Sequence, residues 1–241
     1  MKTAKNRNNI SSIDGRHPHP EIVLIGQPNC GKSTIFNSVA GYKSISTNFP
    51  GATVEYTRSH VAIDGRMCNL IDLPGIYSLT VLDKAAEESK RYLLGERIDV
   101  LINVVDASIL GRSLELTLQL LELDLPMVLC LNMQDEAERK GIEIDAEKLS
   151  KLLGIPVVAT IGAKGIGLDG LFRDAIRAIS APRLPLSLPL SRHVEDKISA
   201  VEQKVQIDKP CKLNFNKRLI AIKLLEEDPL FEHEFCTIDD D

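Results

Sequence analysis

The residues Gly26-Gln27-Pro28-Asn29-Cys30-Gly31-Lys32-Ser33, followed by Thr34, spell a complete GxxxxGKS phosphate loop. Glycines in such a loop let the backbone turn its N–H groups inward around phosphates, and the helix behind adds its positive N-terminal end. In this pattern Lys32 reaches the β- and γ-phosphates and Ser33 holds Mg²⁺. The pattern can arise by chance, but the apolar run 21–25 precedes it and a helix-like stretch follows it, which is the context it needs. Further along, Asp72-Leu73-Pro74-Gly75 forms a DxxG motif, in which Asp72 holds Mg²⁺ through water and the Gly75 backbone N–H bonds the γ-phosphate. Asn132-Met133-Gln134-Asp135 forms an NxxD motif whose Asp135 carboxylate can accept from the N1–H and 2-amino groups of guanine, a donor pair that adenine lacks. Charged hydrogen bonds of this kind contribute about 1.5–3 kcal/mol each, enough to prefer guanine strongly. Between these motifs, Asn48-Phe49-Pro50-Gly51-Ala52-Thr53 reads as a mobile loop that closes over Mg²⁺ and the γ-phosphate, with Thr53 the metal-binding candidate. The chemistry implied is binding of GTP and GDP with Mg²⁺.

These residues need a scaffold that brings strand ends together. From residue 21 to about 180, short β-rich runs alternate with longer amphipathic ones, the pattern of an α/β sheet wrapped by helices. Strands are expected at 21–26, 54–63, 67–72, 99–106, 127–132 and 156–160. Asp64-Gly65 joins the second and third by a hairpin turn, so at least one strand runs antiparallel in an otherwise parallel sheet. Leu168, Leu171, Phe172, Ala175, Ile176 and Ile179 fall on one helical face, and Asp145 and Gly154 bracket another helix as N-cap and C-terminal residues.

Composition limits the alternatives. The chain has 241 residues and a formal net charge of -5, so it has room for one α/β domain plus something smaller and no general pull towards nucleic acid or anionic lipid. Cys30, Cys68, Cys130, Cys211 and Cys236 form no CxxC pair, which argues against a disulfide framework or a zinc site and fits a reducing compartment. No apolar run approaches the roughly 18 residues needed to cross a bilayer, so the chain as given reads as soluble. Residues 1–20, with the His17-Pro-His-Pro20 tract, read as a flexible extension. At Pro182 the composition changes, with Pro185 and Pro189 following, and no strand is expected beyond. Helical spacing of Val194, Ile198, Val201 and Val205, and of Leu219, Ile222 and Leu225, predicts a small helical appendage. The expected division is therefore 1–20 extension, 21–181 nucleotide-binding domain, 182–235 helical domain and 236–241 acidic tail. His233, Cys236 and the terminal aspartates read as a frayed end rather than a metal site.

Taken together, the segments 26–33, 48–55, 72–79, 101–108 and 131–135 resemble the amino-terminal region of the ferrous iron transport protein B family, over most of residues 21–230. The resemblance implies a P-loop GTPase fold with a mixed, mostly parallel sheet, plus a small all-helical domain that slows GDP release. It implies regulation of Fe(II) uptake at the cytoplasmic face of the bacterial inner membrane. The partners it implies are a membrane permease domain of the same protein and small Feo accessory proteins, and a homo-oligomer stays open. Met at the second position of NxxD is common in that family. The resemblance also gives Asn29 the role of a K⁺ ligand that takes the place of an arginine finger.

Ile76 follows DxxG where Ras-like GTPases carry a water-orienting Gln, so slow turnover is expected, within the roughly 10⁻⁴ to 10⁻² s⁻¹ of unassisted GTPases. Catalysis then rests on positioning and charge, with Asn29, Lys32, Thr53 and Gly75 as its carriers. Two segments depart from the family. In 159–164, Ile161 stands where a small polar residue is expected, leaving the base to Thr160, Gly162 and backbone, with faster GDP loss the expected result. Lys84-Ala-Ala-Glu-Glu88 is shorter than the family's usual stretch. Two other readings stay in view: an Era-like or TrmE-like GTPase of RNA maturation, which would want a basic appendage absent after Ser180, and a guanine-nucleotide sensor that does not hydrolyse.

Overall fold

The computed structural model describes residues 19–40, 44–49, 54–80, 83–181, 190–206, 216–228, 231 and 237–238. Seven strands form one sheet: β1 (Glu21–Gly26), β2 (Ile45–Asn48), β3 (Glu55–Ile63), β4 (Arg66–Asp72), β5 (Val100–Asp106), β6 (Met127–Asn132) and β7 (Val157–Ala159). Their spatial order is β2-β3-β4-β1-β5-β6-β7. β1, β4, β5, β6 and β7 are parallel, while β3 pairs antiparallel with both β2 and β4. The β3–β4 hairpin turns on Asp64 (φ 48°) and Gly65 (φ 75°), the two positive dihedrals a type I′ turn requires.

β1, β5 and β6 are apolar almost throughout because helices cover both faces of the sheet. Alternate residues serve opposite layers. Val23 and Ile25 pack with α2 (Lys84–Gly95) and α3 (Leu110–Leu121), whereas Ile22 and Leu24 pack with α1 (Lys32–Ala40) and α6 (Leu168–Ser180). The expected stripe on α6 is present: Leu168, Leu171, Phe172 and Ala175 are buried, and Ile176 and Ile179 pack at its edge. The short α4 (Gln134–Arg139) follows β6. Before β7, α5 (Ala146–Leu153) is capped by Asp145, which accepts from the Lys148 N–H, and ends at Gly154 with φ 74°. β1 lies between β4 and β5, so the crevice beyond its carboxyl end, where open α/β sheets bind ligands, is where the phosphate loop sits.

Some expectations need correction. The sequence pattern marks no strand between residues 26 and 54, yet Ile45–Asn48 pairs with β3 from Ile45↔Arg58 to Asn48↔Glu55. Its only apolar side chain, Ile45, is 65% exposed, so burial left no alternation to detect. Asn48 therefore belongs to an edge strand. Two residues of the expected extension contact the domain: the Pro20 carbonyl accepts from the Asn69 N–H at 2.8 Å, and His19 packs edge-on against His60. A two-residue ladder, β8 (Val205–Gln206) with β9 (Thr237–Ile238), lies in the region where no strand is expected. Lys84–Glu88 forms the first turn of α2, capped by Asp83. Pro50, Gly51, Ala52, Thr53, Pro182, Pro185, Pro189, His17, Cys211, His233, Cys236 and residues 239–241 lie outside the described residues.

Among the described residues the helical appendage includes α7 (Arg192–Lys204) and α8 (Lys217–Leu225). Val205, Leu219, Ile220 and Phe231 bury against Leu94 of α2, and Lys90 of the same helix forms a buried ion pair with Asp228. Burial pulls the Lys90 ammonium below its usual range, against the pull of Asp228. Among the described residues no helix is long and apolar enough to cross a membrane.

Candidate functional site

The phosphate loop is shaped by what its glycines touch. A Cβ at Gly26 would lie 2.2 Å from the Val104 carbonyl oxygen, and one at Gly31 would lie 2.3 Å from the Asn132 side-chain nitrogen. Gly31 also has φ +84°, so both the space and the dihedral demand glycine. Asn29 adopts φ 66° and exposes its side chain, and Cys30 turns its thiol into the core. Burial pushes that thiol up to about 11, so it stays protonated and contributes only backbone. The loop opens into a cavity of about 430 Å³ whose wall includes Asn29, Lys32, Ser33, Thr34, Gly75 and Met133.

Lys32 and Asp72, forty positions apart, meet in a buried ion pair. Ser33 Oγ donates to the other Asp72 oxygen at 3.1 Å. Beyond Asp72 the chain continues along β1: the Leu73 N–H donates to the Leu24 carbonyl at 3.2 Å and the Ile76 N–H to the Gly26 carbonyl at 3.1 Å. This route turns the Leu73 and Ile76 side chains into the core, so neither is a side-chain contact to a ligand in the cavity. Gly75 is instead pressed onto the phosphate loop, where a Cβ would meet Pro28 N and Cα at 3.0 Å. Pro74 is half-buried beside it. Gln27 is buried and donates from Nε2 to the Arg112 carbonyl at 3.0 Å, at the start of α3.

On the other side of the loop, Asn132 acts as a staple. Its Nδ2 donates to the Cys30 carbonyl at 2.9 Å, and its Oδ1 accepts from the Gly162 N–H at 2.9 Å and from Thr160 Oγ1 at 3.1 Å. Thr160 is thus committed to the interior, where its hydroxyl also meets Cys130 Sγ. Its hydroxyl, expected from the sequence to meet the base, is engaged with Asn132 and Cys130 instead. The reading of Ile161 also changes. Ile161 pairs with Ile166 in an isolated bridge, and the residue packed against Asn132 is Gly162, whose added Cβ would lie 3.2 Å from Asn132 Oδ1. The residue that faces Asn132 is therefore a small one. Asp135 stands half-buried at the start of α4, after Met133 at φ 61°. Lys164 Nζ donates to its Oδ2 at 2.9 Å and the Glu136 N–H to its Oδ1 at 3.2 Å. The Lys164 ammonium holds this carboxyl below the usual range. No motif announces this pairing, although Lys164 closes the segment singled out in the sequence.

Comparison with known proteins fits this geometry. The family model described as "Ferrous iron transport protein B" matches residues 20–175, and "FeoB cytosolic helical domain" matches residues 191–237. The Fe(2+) transport protein A/Fe(2+) transporter FeoB fusion protein of Porphyromonas gingivalis is 40% identical over 212 residues, 86% of this chain and 25% of that protein. The Fe(2+) transporter FeoB of Salmonella typhimurium is 37% identical over 214 residues, 86% of this chain and 27% of that protein. The chain thus spans about a quarter of the length of these relatives. Among solved structures, a GDP-bound mutant of S. thermophilus NFeoB superposes with a TM-score of 0.79 at 37% identity, covering 90% of this chain and 83% of that one. The cytosolic domain of T. maritima FeoB in its GMPPNP form gives 0.81 at 36% identity, covering 88% and 83%. The fold is that of a P-loop GTPase domain followed by a small helical domain, and the chain belongs to the ferrous iron transport protein B family, matching its amino-terminal cytosolic region.

Proposed function

We propose that this chain binds GTP and hydrolyses it slowly to GDP and phosphate, and that the nucleotide state regulates Fe(II) passage through a membrane domain carried elsewhere in the full-length protein. The observation that carries the reading is the convergence of Lys32, Ser33 and Asp72 in one cluster beside Gly75 and the phosphate loop. Lys32 neutralises the β- and γ-phosphates, backbone N–H groups of the phosphate loop hold the phosphate oxygens, and Gly75 offers its N–H to the γ-phosphate. Asp135 reads the guanine edge, and Asn132 fixes the distance between that corner and the phosphate loop.

Ser33 Oγ and the Asp72 carboxylate provide hard oxygen donors side by side, a set that suits Mg²⁺. Ser33, Asp72 and Thr53 would hold it, and when bound it supplies positive charge against the phosphate oxygens. The exposed amide of Asn29 on the cavity wall offers an oxygen donor for K⁺, in place of an arginine finger. Because Ile76 is buried, no side chain at that position orients the attacking water, which supports turnover nearer the roughly 10⁻⁴ to 10⁻² s⁻¹ of unassisted GTPases. The same burial favours a second reading, a sensor that binds without useful hydrolysis. We further assign residues 21–181 to the GTPase domain and 182–235 to the helical domain that restrains GDP release, with the permease domain and small Feo accessory proteins as partners.

Single-turnover phosphate release from GTP in KCl and in NaCl tests this function. Release that is faster in KCl, with the difference lost in Asn29→Ala, is expected. No release in either salt selects the sensor, and a cation difference that survives Asn29→Ala removes Asn29 from the potassium role.

A further inference from the structure

The second phosphate-side loop is braced from behind by α3. Gln119, in the third turn of that helix, accepts from the Leu79 N–H at 2.6 Å through Oε1 and donates from Nε2 to Ser78 Oγ at 3.1 Å. Ser78 Oγ in turn accepts from the Thr80 N–H at 3.0 Å, and both Ser78 and Leu79 are buried. In the first turn of α3, the Arg112 guanidinium lies over the Tyr77 ring, 5.2 Å from its centroid, while the Arg112 carbonyl accepts from Gln27 of the phosphate loop. One helix therefore grips both loops. Between these attachments Gly75 rests against Pro28, held by the Ile76-to-Gly26 backbone bond.

We propose that Gln119 is a positioning residue for the γ-phosphate: it holds residues 73–79 against the phosphate loop before nucleotide arrives, so that the Gly75 N–H is set in place rather than drawn in. This deepens the GTPase reading and rests on it. The motif residues alone do not require it, since Gln119 touches neither the cavity nor the ion pair of Lys32 with Asp72. The physical basis is preorganisation. A loop already ordered loses less conformational freedom when the γ-phosphate binds, so the brace favours triphosphate over diphosphate. GDP makes no use of Gly75 and is indifferent to it.

Gln119→Ala keeps a good helix former at a half-buried site and removes the side-chain hydrogen bonds to Ser78 and Leu79. Affinities for GDP and for the non-hydrolysable analogue GMPPNP, measured by fluorescence titration beside thermal melting, separate the outcomes. The proposal expects GMPPNP binding to weaken about fivefold to twentyfold with GDP binding unchanged, the range set by two modest hydrogen bonds. Ser78→Ala, which removes the hydroxyl that meets the Gln119 amide and the Thr80 N–H but leaves the Leu79-to-Gln119 bond, should move the ratio the same way by less. Equal weakening for both nucleotides, or a lower melting temperature with an unchanged GMPPNP-to-GDP ratio, overturns the brace and leaves the GTPase reading standing. A wild-type chain that binds neither nucleotide overturns that reading and the brace with it.

Discussion

The two ends of the nucleotide site are built on different terms. At the phosphate end the charged groups are buried and already paired with each other, as in Lys32 with Asp72, and the backbone is fixed by close contacts such as Gly75 on Pro28. At the base end Asp135 and Lys164 form an ion pair in the open, with side chains 37% and 58% exposed. Buried charges interact strongly and lose much when a partner is removed, whereas an exposed pair is screened by water and salt. The phosphate end therefore supplies affinity and structural integrity together. On the proposed reading the base end supplies selectivity, through an ion pair that a ligand can displace at little cost. Asn132 joins the two, reaching Cys30 on one side and Gly162 on the other.

Removing one charge at each end makes the contrast measurable. The largest effect belongs to Lys32→Ala, which leaves Asp72 buried without its cation and takes the phosphate-binding ammonium away. Nucleotide affinity should fall by at least about a hundredfold, and the chain should lose about 3 kcal/mol of stability in urea unfolding, the cost of breaking a buried pair. Retained GDP binding, or an unchanged unfolding midpoint, would show that the phosphate end is not built on this pair. The smallest effect belongs to Lys164→Ala. On the proposed reading guanine takes the Asp135 oxygen that Lys164 now occupies, so removing the lysine should tighten GDP binding by about threefold or less at low salt, and the gain should vanish at high salt. The pH dependence follows in sign. Lys164 lowers the Asp135 pKa, so the carboxylate stays ionised as pH falls below the ordinary carboxylate range. Without the lysine, the acid limb of GDP binding should move to higher pH. An acid limb that stays put would separate Lys164 from Asp135.

The phosphate end was legible in the sequence because its chemistry is local. GxxxxGKS needs only a strand before it and a helix after it, and Asp72 closes a strand whose hairpin partner is announced by Asp64-Gly65. The caps at Asp145 and Gly154 were visible for the same reason. β2 escaped because four residues with one apolar side chain carry no period to read, and its pairing with β3 is decided by tertiary contact. In 159–164, sequence order could not say which residue of a tight turn faces Asn132. The answer, Gly162 and not Ile161, depends on a 3-10 turn over Gly162–Lys164. Gln119 bears no motif at all. Its bonds to Ser78 and Leu79 exist only because α3 packs along the second loop.

We propose that a prebuilt phosphate end is paired with a base corner in which Asp135 selects guanine. Competition binding of guanine and xanthine diphosphates to wild type and Asp135→Asn tests it most directly. Xanthine presents a carbonyl where guanine presents the 2-amino group, so an amide donor at residue 135 should suit it. GDP affinity should fall at least about tenfold in the variant, as expected for losing charged hydrogen bonds, while XDP binding rises above that of wild type. Unchanged GDP affinity with no gain of XDP would contradict the assignment of Asp135 and, with it, the guanine reading of the site.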